Sequence, residues 1–350
     1  MHIQNNMINF LKIKSPPLDL VNKFFSKSIE KGFFTNFGPN EQELTQILEG
    51  LTGRKTICTA NATLILDGLH HILSQVCTKA YLHSFTFPAT NLGCRISYTL
   101  SSTTLTQEGL GFAEFAVRED VDKSYAITTA PFGAAKPENY VRPNTTFWIV
   151  DNAGGTSPTM NKVNAWLEAG ADVVICSLHA TKILTGCEGG FAVFNNKDLY
   201  DMYRKYIVFG FYLDENLEKK SMSIGSNHKM SELTAAYILA YYHAVFEQEY
   251  AERTLTADAY QNFCENEGVP YIYSPQAFWL QCKSNAFEVA KSLEQKGIET
   301  RPYYQQLFSS EKIDPGAKTL SLHGLCLPTY GMEKSQISYV LNNLRGTNAS

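Results

Sequence analysis

What most restricts the fold of this chain is the alternation, over its first two-thirds, of short β-rich runs with amphipathic helical patterns. Such a rhythm builds βαβ units, and these stack into a mostly parallel sheet with helices on both faces. Pro39 opens one such helix, with Leu44, Ile47, Leu48 and Leu51 on one face and Gly53 at its end. Residues 56–60 read as a strand, and a helix from about Thr63 is expected to bury Leu66, Leu69, Leu73 and Val76. Residues 80–83 and 125–129 are further strand candidates. The strongest are 146–150, ending at Asp151, 172–176, ending at Ser177, and 190–194. One long helix is expected over 231–253, with Ser231 as a plausible N-cap. Beyond it the pattern breaks into separate pieces, a strand over 278–282 and a helix over 286–296. A chain of 350 residues exceeds what one core usually serves. The expected division is a large α/β domain over 1–250 and a smaller α+β domain over 251–350.

Composition narrows the class. The chain is 44% hydrophobic and 18% charged, which argues for a folded globular protein. Its formal charge is -4, with no long basic run, so nucleic acid and an anionic membrane are poor partners. None of the eight cysteines forms a CxxC pair, and no His cluster joins them at zinc spacing, so no metal site is predicted. They read as reduced thiols of a cytoplasmic protein. Residues 1–10 lack the basic start and apolar run of a signal peptide. No apolar stretch is long enough to span a bilayer; residues 235–246 come nearest but contain His243 and three tyrosines.

Four segments carry chemistry. Residues 59–63, Thr-Ala-Asn-Ala-Thr, run from a strand end into a helix start. Amides there, beside a Thr hydroxyl, suit a phosphate, although Asn61 or Thr63 could equally be an ordinary N-cap. Asp151 ends a β-rich run, where a carboxylate could hold a cationic group such as a protonated pyridine nitrogen, or simply close a turn. Lys182 follows a buried run and precedes the glycine-rich stretch 186–190. A lysine in a pocket can lose its proton and form a Schiff base. His179 nearby is either a site residue or a buried, hydrogen-bonded histidine. The fourth segment, 225–233, is a polar loop leading into a helix.

In this order and spacing the segments resemble the DegT–StrS family of pyridoxal-phosphate (PLP) sugar aminotransferases. The likeness runs from about Gly32 to Arg253. It comprises Gly38-Pro39, the turn Asn61-Ala62-Thr63, Thr86-Phe87, Asp151-Asn152-Ala153, Ser177 to Lys182 with Cys187 to Gly190, and Asn227 to Glu232. The resemblance implies the fold type I, aspartate-aminotransferase-like architecture. It implies that Lys182 binds PLP as a Schiff base and then moves a proton, and that Asp151 pairs with the pyridine nitrogen. Phe87 would stack on the ring. Asn61, Ala62, Thr63 and Ser177 would hold the phosphate, and Asn227 would reach the phosphate of a neighbouring subunit in a homodimer. His179 joins Lys182 and Asp151 as a candidate catalytic residue.

The reaction implied is ping-pong. L-Glutamate converts PLP to pyridoxamine phosphate, which then aminates a keto-sugar on a nucleoside diphosphate. The favoured substrate is a 4-keto-6-deoxysugar for surface polysaccharide of the O-antigen type, with a 3-keto sugar as the alternative. A dehydratase of the same fold would carry His in place of Lys182, and a non-catalytic binding protein would have no need of Lys182, Asp151 and the phosphate turn together. The sequence departs from the family pattern at Gly154, where Gln or His is usual, at Asn61-Ala62 in place of Ser-Gly, and at Lys229 in place of Arg.

Overall fold

The computed structural model describes residues 7–101, 103–106, 109–112, 123–134, 142–305 and 314–345. The N-terminal reading therefore rests partly on residues 1–6, which lie outside the described residues. The chain opens with α1 (Leu18–Lys31) and α2 (Pro39–Thr52), then β1 (Lys55–Thr59), α3 (Ala62–Leu73), β2 (Lys79–His83) and the short α4 (Ala89–Leu92). Next come β3 (Ser97–Ser101), β4 (Thr103–Thr106), β5 (Gly109–Phe112), β6 (Ser124–Thr129), β7 (Phe147–Asp151), α5 (Asn161–Glu168), β8 (Val173–Ser177), β9 (Gly190–Phe194) and α6 (Lys197–Tyr206). A small hairpin of β10 (Phe211–Leu213) and β11 (Lys219–Ser221) precedes α7 (Glu232–Tyr241) and α8 (Glu247–Glu267), which are joined by a π turn over Tyr242–Phe246. The remainder is β12 (Tyr271–Ile272), β13 (Phe278–Gln281), α9 (Ala286–Glu294), α10 (Pro315–His323), β14 (Gly324–Leu327) and α11 (Lys334–Arg345).

Seven strands form the main sheet in the order β1-β9-β8-β7-β6-β2-β3. The pairs from β8 to β3 are parallel, and β9 runs antiparallel to both β8 and β1. The sheet is thus mixed and mostly parallel, as expected. Its strands are apolar on both faces because both are covered. Trp148, Val150, Val174, Cys176 and Val193 face one core with residues of α1, α2, α5 and α7. Ile127, Ile149, Val173, Ile175 and Ala192 face the other with residues of α3 and α6.

The C-terminal part packs β12, β13 and β14 against α8, α9 and α11 around Tyr260, Phe278, Leu280, Leu293 and Leu325. Two helical expectations are corrected. The long helix continues past Arg253 to Glu267, because Ala257, Tyr260 and Cys264 are buried in this C-terminal core. Val76 lies beyond the end of α3 and is exposed.

α2 begins at Pro39 and stops before Gly53, as those residues mark, and its first turn is closed from far away. Glu232, fully buried, accepts the amides of Asn40 (2.8 Å) and Glu41 (3.1 Å) and the hydroxyl of Ser28 (2.7 Å). A carboxylate at a helix N-terminus meets both the unpaired N–H groups and the dipole. The last residue of the 227–232 segment is therefore structural.

Candidate active site

The C-terminal ends of neighbouring parallel strands bring Ser177 (β8), Asp151 (β7) and Thr129 (β6) side by side, with Thr129 in register opposite Asp151. Ligand sites of open α/β sheets form at such ends. Here they floor a cavity of about 490 Å3 that also takes in Ala62, Thr63, Phe87, His179, Lys182, Glu188, Gln276, Tyr303 and Tyr304. Of the nine site residues expected from sequence, eight line this cavity.

At one end is the start of α3. The Asn61 side chain accepts the Leu64 N–H at 2.9 Å, so Asn61 caps the helix. The N–H groups of Ala62 and Thr63 are left without an intrahelical partner beside the cavity. β9 lies directly against this turn: a Cβ on Gly190 would stand 2.5 Å from the Ala62 nitrogen. Ser177 completes this end, its Oγ accepting the His179 N–H at 3.3 Å.

Asp151 is 5% exposed, and burial pushes its carboxyl above the usual range, opposed by hydrogen bonds from Thr90 and the Ala153 amide and by the charge of Lys182. Thr90 Oγ1 donates to Oδ2 at 2.6 Å and the Ala153 N–H to Oδ1 at 3.2 Å. Lys182 stands on a turn after β8, its N–H donating to the His179 carbonyl at 2.8 Å. Its side chain is half-buried, and burial lowers the amine from its ordinary range, with Asp151 opposing. Lowering an amine this way enlarges the neutral fraction, which is the nucleophilic form.

His179 is exposed at the rim, not buried. Its Nδ1 lies 3.0 Å from Thr181 Oγ1 and its Nε2 3.7 Å from Glu188 Oε1. Phe87 is 59% exposed, its ring edge-on to Tyr304 at 6.4 Å. Asn227 lies outside the cavity lining, pairs with Val208 and accepts Lys229 Nζ at 2.7 Å. Gly154 has no room for a side chain, since a Cβ would stand 2.7 Å from the Phe132 carbonyl carbon.

Sequence reasoning missed Thr90, Thr129, Gln276 and Tyr304. For Thr90 a signal existed, because Thr86 and Thr90 are spaced four apart around Phe87. For Gln276 and Tyr304 no spacing to the other segments could have found them. Among the described residues no group of three or more His, Cys, Asp or Glu is arranged to hold a metal, and no helix is long and apolar enough to cross a membrane.

PLP fits this donor set. Unpaired helix-start amides suit a phosphate, a buried carboxylate suits a protonated ring nitrogen, and a depressed amine suits an aldehyde.

A family model for the DegT/DnrJ/EryC1/StrS aminotransferase family matches residues 167–345. The chain is 28% identical over 324 residues to Protein Rv3402c of Mycobacterium tuberculosis, covering 85% of this chain and 76% of that one. A 66-residue stretch, 19% of this chain and 17% of the relative, is 38% identical to a dTDP-4-amino-4,6-dideoxy-D-glucose transaminase of Shigella dysenteriae. The fold matches that of DesI, solved in the presence of its TDP-sugar product, with a TM-score of 0.79 at 20% identity over 99% of this chain and 94% of that one.

Proposed function

Because the chain belongs to the DegT/DnrJ/EryC1/StrS aminotransferase family, whose cofactor is PLP, we propose that it moves an amino group from L-glutamate to a keto-6-deoxysugar carried on a nucleoside diphosphate. One observation carries the reading of the site: a lysine, a buried carboxylate and the first two residues of a helix line a single cavity. The cofactor supplies an electron sink when bound. Lys182 would hold it through its amine and would then move a proton at its Nζ. Asp151 keeps the ring nitrogen protonated. Ala62, Thr63 and Ser177 bind the phosphate, helped by the dipole of α3, while Asn61 fixes the turn that presents them.

Phe87, at the cavity wall, would pack against the cofactor, and His179 with Glu188 at the rim would meet the substrate. Asn227, outside its own cavity, serves the cofactor phosphate of a second copy, which makes the working unit a homodimer. The 66-residue likeness to the dTDP-4-amino-4,6-dideoxy-D-glucose transaminase of Shigella dysenteriae supports a 4-keto substrate. The setting proposed is cytoplasmic synthesis of a sugar for surface polysaccharide.

The test is the absorbance spectrum of the protein with PLP, before and after L-glutamate, repeated on Lys182→Ala. The expected result is a lysine-linked band that glutamate bleaches and that the variant lacks. A panel of 4-keto and 3-keto nucleotide sugars then reports the position aminated. Failure of the wild type to bind PLP would overturn the reading, and bleaching without turnover of any keto-sugar would overturn the substrate class.

A further inference from the structure

Lys182 stands on a turn, so the backbone on either side of it needs its own support. It comes from a residue far along the chain. The Ile183 N–H donates to Oε1 of Gln276 at 3.0 Å, and Nε2 of Gln276 donates to the Thr181 carbonyl at 2.8 Å. One side-chain amide thus grips the main chain immediately before and immediately after Lys182. Two bonds from one planar group fix the orientation of the peptides as well as their separation.

Gln276 is itself anchored. Its N–H donates to Ser274 Oγ at 3.0 Å, Ser274 Oγ donates to the Phe132 carbonyl at 2.7 Å, and the Thr329 hydroxyl donates to the Gln276 carbonyl at 3.2 Å. Gln276 is 8% exposed and Ile183 is 1% exposed, so releasing this grip would leave buried polar groups unpaired.

We propose that Gln276 is a positioning residue for the transamination: it locks the backbone flanking Lys182 and so presents the amine to the cavity in one direction. The inference rests on the reading of Lys182 as the cofactor-binding lysine. With the cofactor bound, the neutral Lys182 amine would form a C=N bond to the cofactor's aldehyde carbon, and the two amine protons would leave with the aldehyde oxygen as water. The lysine stem carries several rotatable bonds and, among the described residues, its amine has no hydrogen-bond partner to hold it. A fixed backbone at its root removes part of the search that precedes bond formation.

Three variants test this. Gln276→Met keeps the volume and loses both bonds. Gln276→Glu keeps the acceptor for Ile183 but sets a carboxylate against the Thr181 carbonyl. Thr329→Val loosens only the anchor. In the full-length protein, PLP affinity and the pH midpoint of the lysine-linked absorbance band are measured alongside thermal melting. The expected result is an affinity loss of about tenfold and a moved midpoint for Met and Glu, with a smaller change in the same direction for Val. Variants that melt lower but keep wild-type affinity and midpoint would show a purely structural residue and overturn the proposal. Should Gln276→Met not fold, the Glu and Val variants decide by the same criteria. A wild type with no lysine-linked band refutes the reading of Lys182 itself, a result distinct from normal loading in all three variants.

Discussion

Thr90 Oγ1 donates to Asp151 Oδ2 at 2.6 Å, and it is the last of three threonine hydroxyls that point the same way. Thr129 donates to Thr86 at 3.0 Å, and Thr86 lies 2.7 Å from Thr90, whose own proton is committed to the carboxylate. Aligned hydroxyls polarise one another, so the carboxylate at the end receives more than one neutral hydrogen bond's stabilisation.

Thr90→Val should therefore raise the Asp151 carboxyl further and weaken its hold on a ring nitrogen. The expected outcome is a stability cost of about 2 kcal/mol, that of a hydrogen bond to a charged group, and a clear loss of PLP affinity. Thr90→Ser, which keeps the donor, should restore most of both. Wild-type affinity in Thr90→Val, read by PLP titration, would contradict the assigned role of the pair.

The start of α3 is pressed against Gly190, where a Cβ would stand 2.5 Å from the Ala62 nitrogen and 2.8 Å from its Cα. Backbone cannot yield as a flexible side chain can, so Gly190→Ala should push the helix start away at a cost of about 1–3 kcal/mol. The preference for PLP over pyridoxal, which has no phosphate, should shrink with it. An unchanged preference would show that Ala62 and Thr63 do not bind the phosphate.

Glu232 accepts three donors from α1 and α2 with none of its side chain in water. A Gln in its place turns an NH2 group toward donors and removes the charge at the helix N-terminus. Glu232→Gln should cost about 2–4 kcal/mol, since it leaves buried donors unpaired, and should lower the melting temperature without altering the spectrum of loaded protein.

Burial pushes the Glu41 carboxyl up from 4.5 to about 7, against the Thr45 hydroxyl and the Arg204 charge. A raised folded-state pKa means the fold favours the protonated form. That contribution is complete below pH 4.5 and is lost as pH rises through about 7. Between about pH 5 and 8 the wild type should lose up to roughly 3 kcal/mol that Glu41→Gln does not lose. Melting curves with parallel pH dependence for the two proteins would refute this.

Local signals on the sequence were enough for the strands that end at Asp151 and Ser177, for the start of α2 at Pro39 and for the segment holding Lys182. Each rests on features read within about ten residues: an apolar run, a polar residue closing it, a proline or a glycine where the chain must turn. The residues named for the site came from the resemblance that these segments carry together, and eight of them line the cavity. The local signals left open whether Asn61 caps the helix or holds a phosphate, and could not say that His179 lies at the rim or that β9 runs against its neighbours, because a pattern along the chain does not state which groups meet. Nor could they show that Val76 is exposed, or that the long helix continues to Glu267 to serve a second core. The partners of the central pair came only with the tertiary structure: Thr90 reaches Asp151 across 61 positions and Gln276 holds Ile183 across 93. Contacts at such separations have no spacing rule, and only the packed sheet, by fixing where each strand ends, selects them.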